Sequence, residues 1–364
     1  MNVQELCSAI EEWVPLSYQE SYDNCGLIVG NPNQELSGVL VSLDSLEIVI
    51  DEAIHKHCNM IVSHHPIIFK GLKSLTGKNY VERTVLKAIK NDIAIYAIHT
   101  NLDNLNQGVC RRMSEQLGLI NSRVLSPKNG LLKKLVTYVP KESAETLRSS
   151  LFDIGEDSIA NYSECNFSFT GHSTFNGSQE PNTLIGKSSH REKVNEECIE
   201  LVFSSHLEHD IIAALKQNHP YEEVAYQIIS INNDHKYVGA GRIGELPNPQ
   251  SAFDFLTCLK KNFKTDCVRH SLILDKQIKT VALCGGAGSF LLSNAMHQGA
   301  DVFVSADFKY HEFFDAENKI IIADIGHYES EQYTIDLIGD FLRKKFPRFA
   351  VHLSEINTNP INYL

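Results

Sequence analysis

Paired cysteine is missing from this 364-residue chain: its nine cysteines stand singly (Cys7, Cys25, Cys58, Cys110, Cys165, Cys198, Cys258, Cys267, Cys284), an odd total without a C-x-x-C. That spacing argues against a disulfide framework and fits reduced thiols. A basic patch is missing too. There is no block of five or more Lys/Arg, and a formal charge of −12 repels a phosphate backbone, so nucleic acid is not an expected partner. No apolar run approaches the roughly 18–20 residues of a membrane span. The opening segment, Met1 to Val14, is acidic and amphipathic at helical spacing and lacks the basic start and apolar centre of a signal peptide; a cytoplasmic protein is expected. Gly285-Gly-Ala-Gly288 lacks both the third spaced glycine of a dinucleotide fingerprint and the lysine of a P-loop, which leaves a tight strand-to-helix turn. No Ser or Cys stands in a nucleophile setting, and Cys25 and Cys110 read as packed.

What is present is a globular composition, 43% hydrophobic, long enough for two domains. Within it, Asn59-Met-Ile-Val-Ser-His-His-Pro66 is an apolar strand-like run that stops on two imidazoles and a proline. Pro66 biases His65 toward extended backbone and blocks a helix there, which presets the pair as donors for a metal.

A divergent internal repeat is the second feature. Val39 to Asp44, Ala53, His55 and Met60 to Ser63 are echoed by Val281 to Gly286, Ala295, His297 and Val302 to Ser305, all 242 residues later. Each copy has a strand, an amphipathic helix and a second strand, the pattern of a βαβ unit with a buried parallel pair. A third strand follows in each. Ile93 to Ile98 leads into His99-Thr-Asn-Leu-Asp103, and Ile320 to Ile325 leads, after Gly326, into His327-Tyr-Glu-Ser-Glu331, so both end in His-x-x-x-acid at an offset of 228.

The stretch from about Lys128 to about Lys236 differs in character, being rich in Ser, Asn, Glu and His. A strand from Lys133 to Pro140, a helix from Glu142 to Asp153, strand pieces such as Asn166 to Phe169, a strand from Cys198 to Phe203, a helix from Asp210 to Gln217 and a strand from Val224 to Ser230 are expected. His219-Pro-Tyr-Glu-Glu is expected to end the second helix in a turn. This β-α-β-β-α-β order predicts a ferredoxin-like α+β domain over 128–236, inserted between two α/β halves at 1–127 and 237–364.

Four strand ends then offer donors: His64 with His65, His99 with Asp103, Asp307 with His311, and His327 with Glu331. In a parallel α/β sheet the loops beyond the carboxyl ends share one edge, so convergence is the expectation. Asp307 occupies the repeat position of His65 and reads as a hydrogen-bonding counterpart, with His311 beside it as a further supporting group. Asp44 is placed to orient a ligand imidazole or to cap the helix after it. Glu331, one helical turn beyond His327, has two oxygens that can bridge two cations. A mixed His/carboxylate set suits zinc, manganese or iron better than calcium.

Ser-His-His-Pro at 63–66, His-Thr-Asn-Leu-Asp at 99–103 and Gly-His-Tyr-Glu-Ser-Glu at 326–331 resemble the three motifs of the NIF-three-like family, known in bacteria as GTP cyclohydrolase 1 type 2 homologues. Over the middle of the chain, Ile159 to Cys165 and His219 to Tyr226 resemble the PII/CutA-like insert of its longer members. The resemblance implies a dinuclear centre held by His64, His65, Asp103, His327 and Glu331, with Glu331 bridging and zinc the first choice of metal. It implies a ring-shaped homohexamer, and hydrolysis of GTP by ring opening to dihydroneopterin triphosphate and formate. His99 is the candidate proton shuttle, since imidazoles titrate near neutrality. Two alternatives use the same ligands: a dinuclear phosphoesterase acting on a nucleotide, and a non-catalytic, metal-binding regulatory assembly.

Overall fold

A computed structural model describes residues 1–154, 163–176 and 191–364. The described residues form two units, one of Met1–Pro127 with Tyr237–Leu364 and the other of Lys128–Lys236. In chain order the strands are β1 (Gly26–Val29), β2 (Val39–Ser42), β3 (Met60–Ser63), β4 (Ala94–Ala97), β5 (Ile120–Lys128), β6 (Leu132–Pro140), β7 (Asn166–Asn176), β8 (Arg191–Ser204), β9 (Tyr226–Ile231), β10 (His235–Ser251), β11 (Arg269–His270), β12 (Gln277–Ala287), β13 (Val302–Ala306), β14 (Ile321–Asp324) and β15 (Val351–Leu353). No helix among the described residues is long and apolar enough to cross a membrane.

The larger unit carries two sheets, ordered β1-β4-β3-β2-β15 and β11-β14-β13-β12-β10-β5. Each contains a parallel triplet flanked by a short antiparallel strand, β1 beside β4 and β11 beside β14. The ladders keep the repeat in register: Val39 pairs with Met60 and Met60 with Ala94, while Val281 pairs with Val302 and Val302 with Ile321.

Both triplets are buried on both faces, which is why their strands are continuous apolar runs with no polar alternation. In the first sheet Val41, Val62 and Tyr96 pack toward helices Val3–Trp13 and Thr334–Lys345, and Leu40, Ile61 and Ile95 toward helices Glu47–His55 and Tyr80–Lys90. In the second, Leu283, Val304 and Ala323 pack with Met113, Phe255 and Phe263, and Ala282, Phe303 and Ile322 with Leu292 and Phe308.

The two halves exchange elements. Helix Val109–Gln116 and β5 follow the first His-x-x-x-acid motif yet complete the second sheet; helix Thr334–Lys345 and β15 follow the second motif yet complete the first. Trp13 stacks on Phe341 across this exchange at 4.1 Å.

The smaller unit is an antiparallel sheet ordered β7-β8-β6-β9, with helices Ala144–Phe152 and Glu208–Asn218 packed over Leu135, Ile199 and Leu201. His219 closes the second helix, binding the Tyr138 carbonyl through Nε2 (2.9 Å) and accepting the Tyr221 amide at Nδ1 (3.1 Å). Much of the Ser/Asn/Gly-rich stretch, including most of the Ile159 to Cys165 piece, lies outside the described residues.

Candidate metal centre

The parallel strands deliver their donors to one place. His64 and His65 follow β3, whose ladder continues through His64 N–Ser42 O and His65 N–Leu43 O. His99 caps helix Thr100–Asn104, which carries Asp103; Gly326 caps helix His327–Glu331. That helix exists because Gly326 adopts φ +91, a left-handed value that lets the chain leave β14 and turn at once.

Each imidazole is aimed from behind. His64 donates Nδ1–H to the Ile98 carbonyl (2.9 Å), His65 to Asp44 Oδ1 (2.8 Å), His327 to Asp307 Oδ2 (2.7 Å) and His99 to Asp23 Oδ1 (2.8 Å). The Nε2 atoms of His65 and His327 lie 3.3 Å apart, and both face Glu331 Oε2, at 3.0 and 3.1 Å. His64 Nε2 lies 3.8 Å from the same oxygen and 3.7 Å from Asp103 Oδ1. His99 offers a ring nitrogen within 4.8 Å of those of His64 and His65. Residues from opposite ends of the chain therefore make one cluster.

Electrostatics shows the frustration of so many donors in one place. Burial opposes charge on both rings, yet Asp44 and Glu331 push His65 up to about 10, and Glu331 with Asp307 pushes His327 up to about 11. Burial holds the wholly buried His64 below the usual imidazole range. Burial and the charge of Glu331 drive Asp103 well above the carboxylate range. Glu331, despite burial, is held well below it by the surrounding imidazoles. Two buried atoms here have no hydrogen-bond partner: His64 Nε2 and Asp103 Oδ1. Two buried acceptors left unpaired cost about 1–3 kcal/mol each. A cation between them removes that cost, so the residues fit a metal.

The surroundings enforce this geometry. Asp324 accepts from the Phe308 amide (3.0 Å) and the Gly326 amide (3.1 Å), pinning the two turns that carry Asp307 and His327, and Arg269 neutralises it. Thr358 donates to Asp44. The Gly285–Gly288 run is more than a turn: Gly285 and Gly286 continue β12, and a Cβ on Gly286 would lie 2.4 Å from Glu331 Oε1 with φ at +59. Gly286→Ala is accordingly expected to displace Glu331, empty the site of metal and destabilise the fold by about 1–3 kcal/mol, checked by elemental analysis and thermal unfolding.

Of the candidate residues from sequence, His64, His65, His99, Asp103, His327 and Glu331 come together, with Asp44 and Asp307 behind His65 and His327. His311 does not. It is exposed, its ring standing against Tyr310 and Phe314, because Asp307 turns back at φ +58 and the following segment leads away. Asp23 carries no signal in the sequence: it sits in a loop 76 residues before His99 with no motif around it, yet it holds His99 and also accepts the Thr100 amide at 3.0 Å. Cys25 is packed, its thiol donating toward Asp23 and Asn101 and pushed up to about 12 by burial.

The model of the Duf34/NIF3 (NGG1p interacting factor 3) family matches residues 1–360. The chain belongs to this family. Bacterial relatives include the GTP cyclohydrolase 1 type 2 homologues of Bacillus subtilis, 37% identical over 100% of this chain and 99% of the relative, and of Staphylococcus epidermidis, 34% identical over the whole of both. Among solved structures, a Bacillus cereus protein related to NIF3 superposes with a TM-score of 0.87 at 34% identity, and Staphylococcus aureus protein SA1388 with 0.77 at 31%. Each covers 100% of this chain and 99% of its own. A Duf34/NIF3 protein with a mixed α/β fold and His/Glu groups able to hold a metal is thus established.

Proposed function

We propose that this Duf34/NIF3 protein is a dinuclear metal-dependent hydrolase acting on a nucleotide, of the GTP cyclohydrolase 1 type 2 kind. His64, His65, Asp103, His327 and Glu331 would hold its two cations, with Glu331 as the carboxylate they would share. The observation that carries this reading is the buried, unpartnered pair His64 Nε2 and Asp103 Oδ1, facing Glu331 within a ring of imidazoles whose other nitrogens are already spoken for. Imidazole and carboxylate donors favour zinc, with manganese or iron as substitutes. When bound, two such cations supply Lewis acidity and water activation, the requirement of a hydrolase.

The chain's own residues do the rest. Asp44 and Asp307 fix the tautomers of His65 and His327, and Glu331 sets the spacing of the three imidazoles it faces. His99, held through Nδ1 by Asp23, keeps its other nitrogen to accept or deliver a proton. The segment 128–236 is proposed as an inserted ferredoxin-like domain of the PII/CutA kind, since its sheet order and its two helices on one face match that plan. A cytoplasmic homohexamer completes the reading, to be weighed by native mass spectrometry.

Purified, metal-loaded protein supplied with GTP is expected to release formate. Orthophosphate without formate transfers the reading to the phosphoesterase alternative. No turnover of any nucleotide by protein holding its metals, together with effector binding by the segment 128–236, transfers it to a regulatory assembly.

A further inference from the structure

Two aromatic rings stand at the edge of the donor cluster without a place in the core. Tyr22 is 62% exposed and Phe69 47% exposed. Their centroids lie 6.3 Å apart with the rings inclined at 44°, and Phe69 meets His99 edge-on at 6.2 Å. His99 in turn lies 5.3 and 5.4 Å from the rings of His64 and His65. The contacts run in series from Tyr22 to the centre.

The loops bearing these rings are locked. Asn24 donates its amide to the Ile68 carbonyl (2.6 Å), tying the Tyr22 loop to the Phe69 loop. Asp23 binds His99 and Thr100, and the Cys25 amide donates to Gln19 Oε1 (3.0 Å). Side chains beside Tyr22 are thus committed to structure, while its ring is left in water. Scattered exposed hydrophobics need no explanation. Two aromatics in series beside the His99 imidazole, held by neighbours that are themselves hydrogen-bonded, are a preorganised apolar corner. Planar π-systems recognise other planar π-systems by offset stacking or edge contact at these separations.

We propose that Tyr22 and Phe69 form the platform for the planar heteroaromatic ring of the substrate, a nucleobase. This rests on the metal-hydrolase reading and narrows it, since it assigns the recognition of the nucleotide's ring to two named side chains. In the metal-hydrolase reading the ring is the part that reacts, and a platform whose Phe69 lies 6.2 Å from His99 would hold that ring beside the donor cluster by stacking. An aliphatic phosphate ester gains nothing from such a corner.

Titration calorimetry with guanosine and, separately, ribose 5-phosphate tests this, alongside elemental analysis of the same samples. Guanosine is expected to bind the wild type, and Tyr22→Ala and Phe69→Ala each to weaken it about 5- to 30-fold, with metal content and ribose 5-phosphate binding unchanged. Phe69→Trp is expected to keep guanosine binding, and Phe69→Leu, which retains apolar bulk should the alanine variant unfold, to lose most of it. Wild type that holds its metals and ribose 5-phosphate but ignores guanosine overturns the platform and leaves the metal centre standing. Guanosine binding unchanged in the Tyr22→Ala/Phe69→Ala double variant also overturns it. Wild type without metal that still binds guanosine through Phe69 keeps the platform and removes the hydrolase.

Discussion

Glu331→Gln is expected to strip the centre of its metals and to weaken the protein even when no metal is present. The first effect follows from chemistry: Oε2 of Glu331 faces three imidazole nitrogens at 3.0, 3.1 and 3.8 Å, and an amide neither carries the charge nor bridges two cations. Removing a group that only orients a ligand costs about 10–100-fold in metal affinity, so losing the shared ligand is expected to exceed about 100-fold. The second effect follows from burial. Glu331 is 3% exposed and is the main counter-charge of His327; a wholly buried pair that loses one member costs about 3–5 kcal/mol, and because His327 is 34% exposed and keeps Asp307, screening reduces this to about 1–3 kcal/mol. Asp44→Asn, which still accepts from His65, is the contrast: metal affinity falls within the smaller range and the fold is retained. Dialysis against graded chelator and urea unfolding of stripped samples measure both. A Glu331→Gln variant that holds two metals per chain removes Glu331 as the bridge.

The repeat was legible because burial on both faces constrains its strands to apolar residues, and because the segments joining β2 to β3 and β12 to β13 kept one length. The change of offset from 242 to 228 marks different connections to the third strand and the single residue Gly326. Ile98 N and Ile325 N bind Ser63 O and Ser305 O alike, so the ladders match up to there, and Gly326 then shifts His327 by one. Donors at strand ends were legible for the same reason, since polar residues that terminate fully buried strands have a restricted set of uses.

The exchange of helices Val109–Gln116 and Thr334–Lys345 between sheets was not legible. Their apolar faces require a sheet but do not specify which one, and β15 pairs with β2 through three residues whose sequence has no distinguishing pattern. Asp23 was hidden for a related reason. A carboxylate in a loop announces neither a helix cap nor a ligand, and only the docking of that loop against His99 gives it a role. The exchange also has a consequence for the centre. Because each half completes the other's sheet, the edge bearing His64 and His65 and the edge bearing Glu331 belong to one hydrophobic framework, and separating the donors would require unpacking both cores.

Removing the metals is expected to reverse the way stability depends on pH above neutrality. In the stripped protein His65 and His327 bind protons up to about 10 and about 11, far above the ordinary imidazole value of 6.5. A group whose folded pKa is raised stabilises the fold fully below its unfolded value and loses that contribution as pH climbs through the folded one. Stripped protein should therefore lose stability between about pH 6.5 and about pH 11. In the loaded protein cations take the place of those protons, ligand deprotonation is already complete, and binding strengthens as pH rises because fewer protons compete. At a free metal concentration 100 times Kd the loaded form gains about 2.7 kcal/mol. The melting-temperature gap between loaded and chelator-stripped samples should thus widen steadily from about pH 6.5 to about pH 10, and metal uptake at about pH 7.5 should release protons, seen calorimetrically as a dependence of the apparent heat on the buffer's ionisation enthalpy. A gap that stays constant across that range, with no protons released, would mean that the imidazoles are already neutral without metal and that the carboxylates behind them do not set their charge.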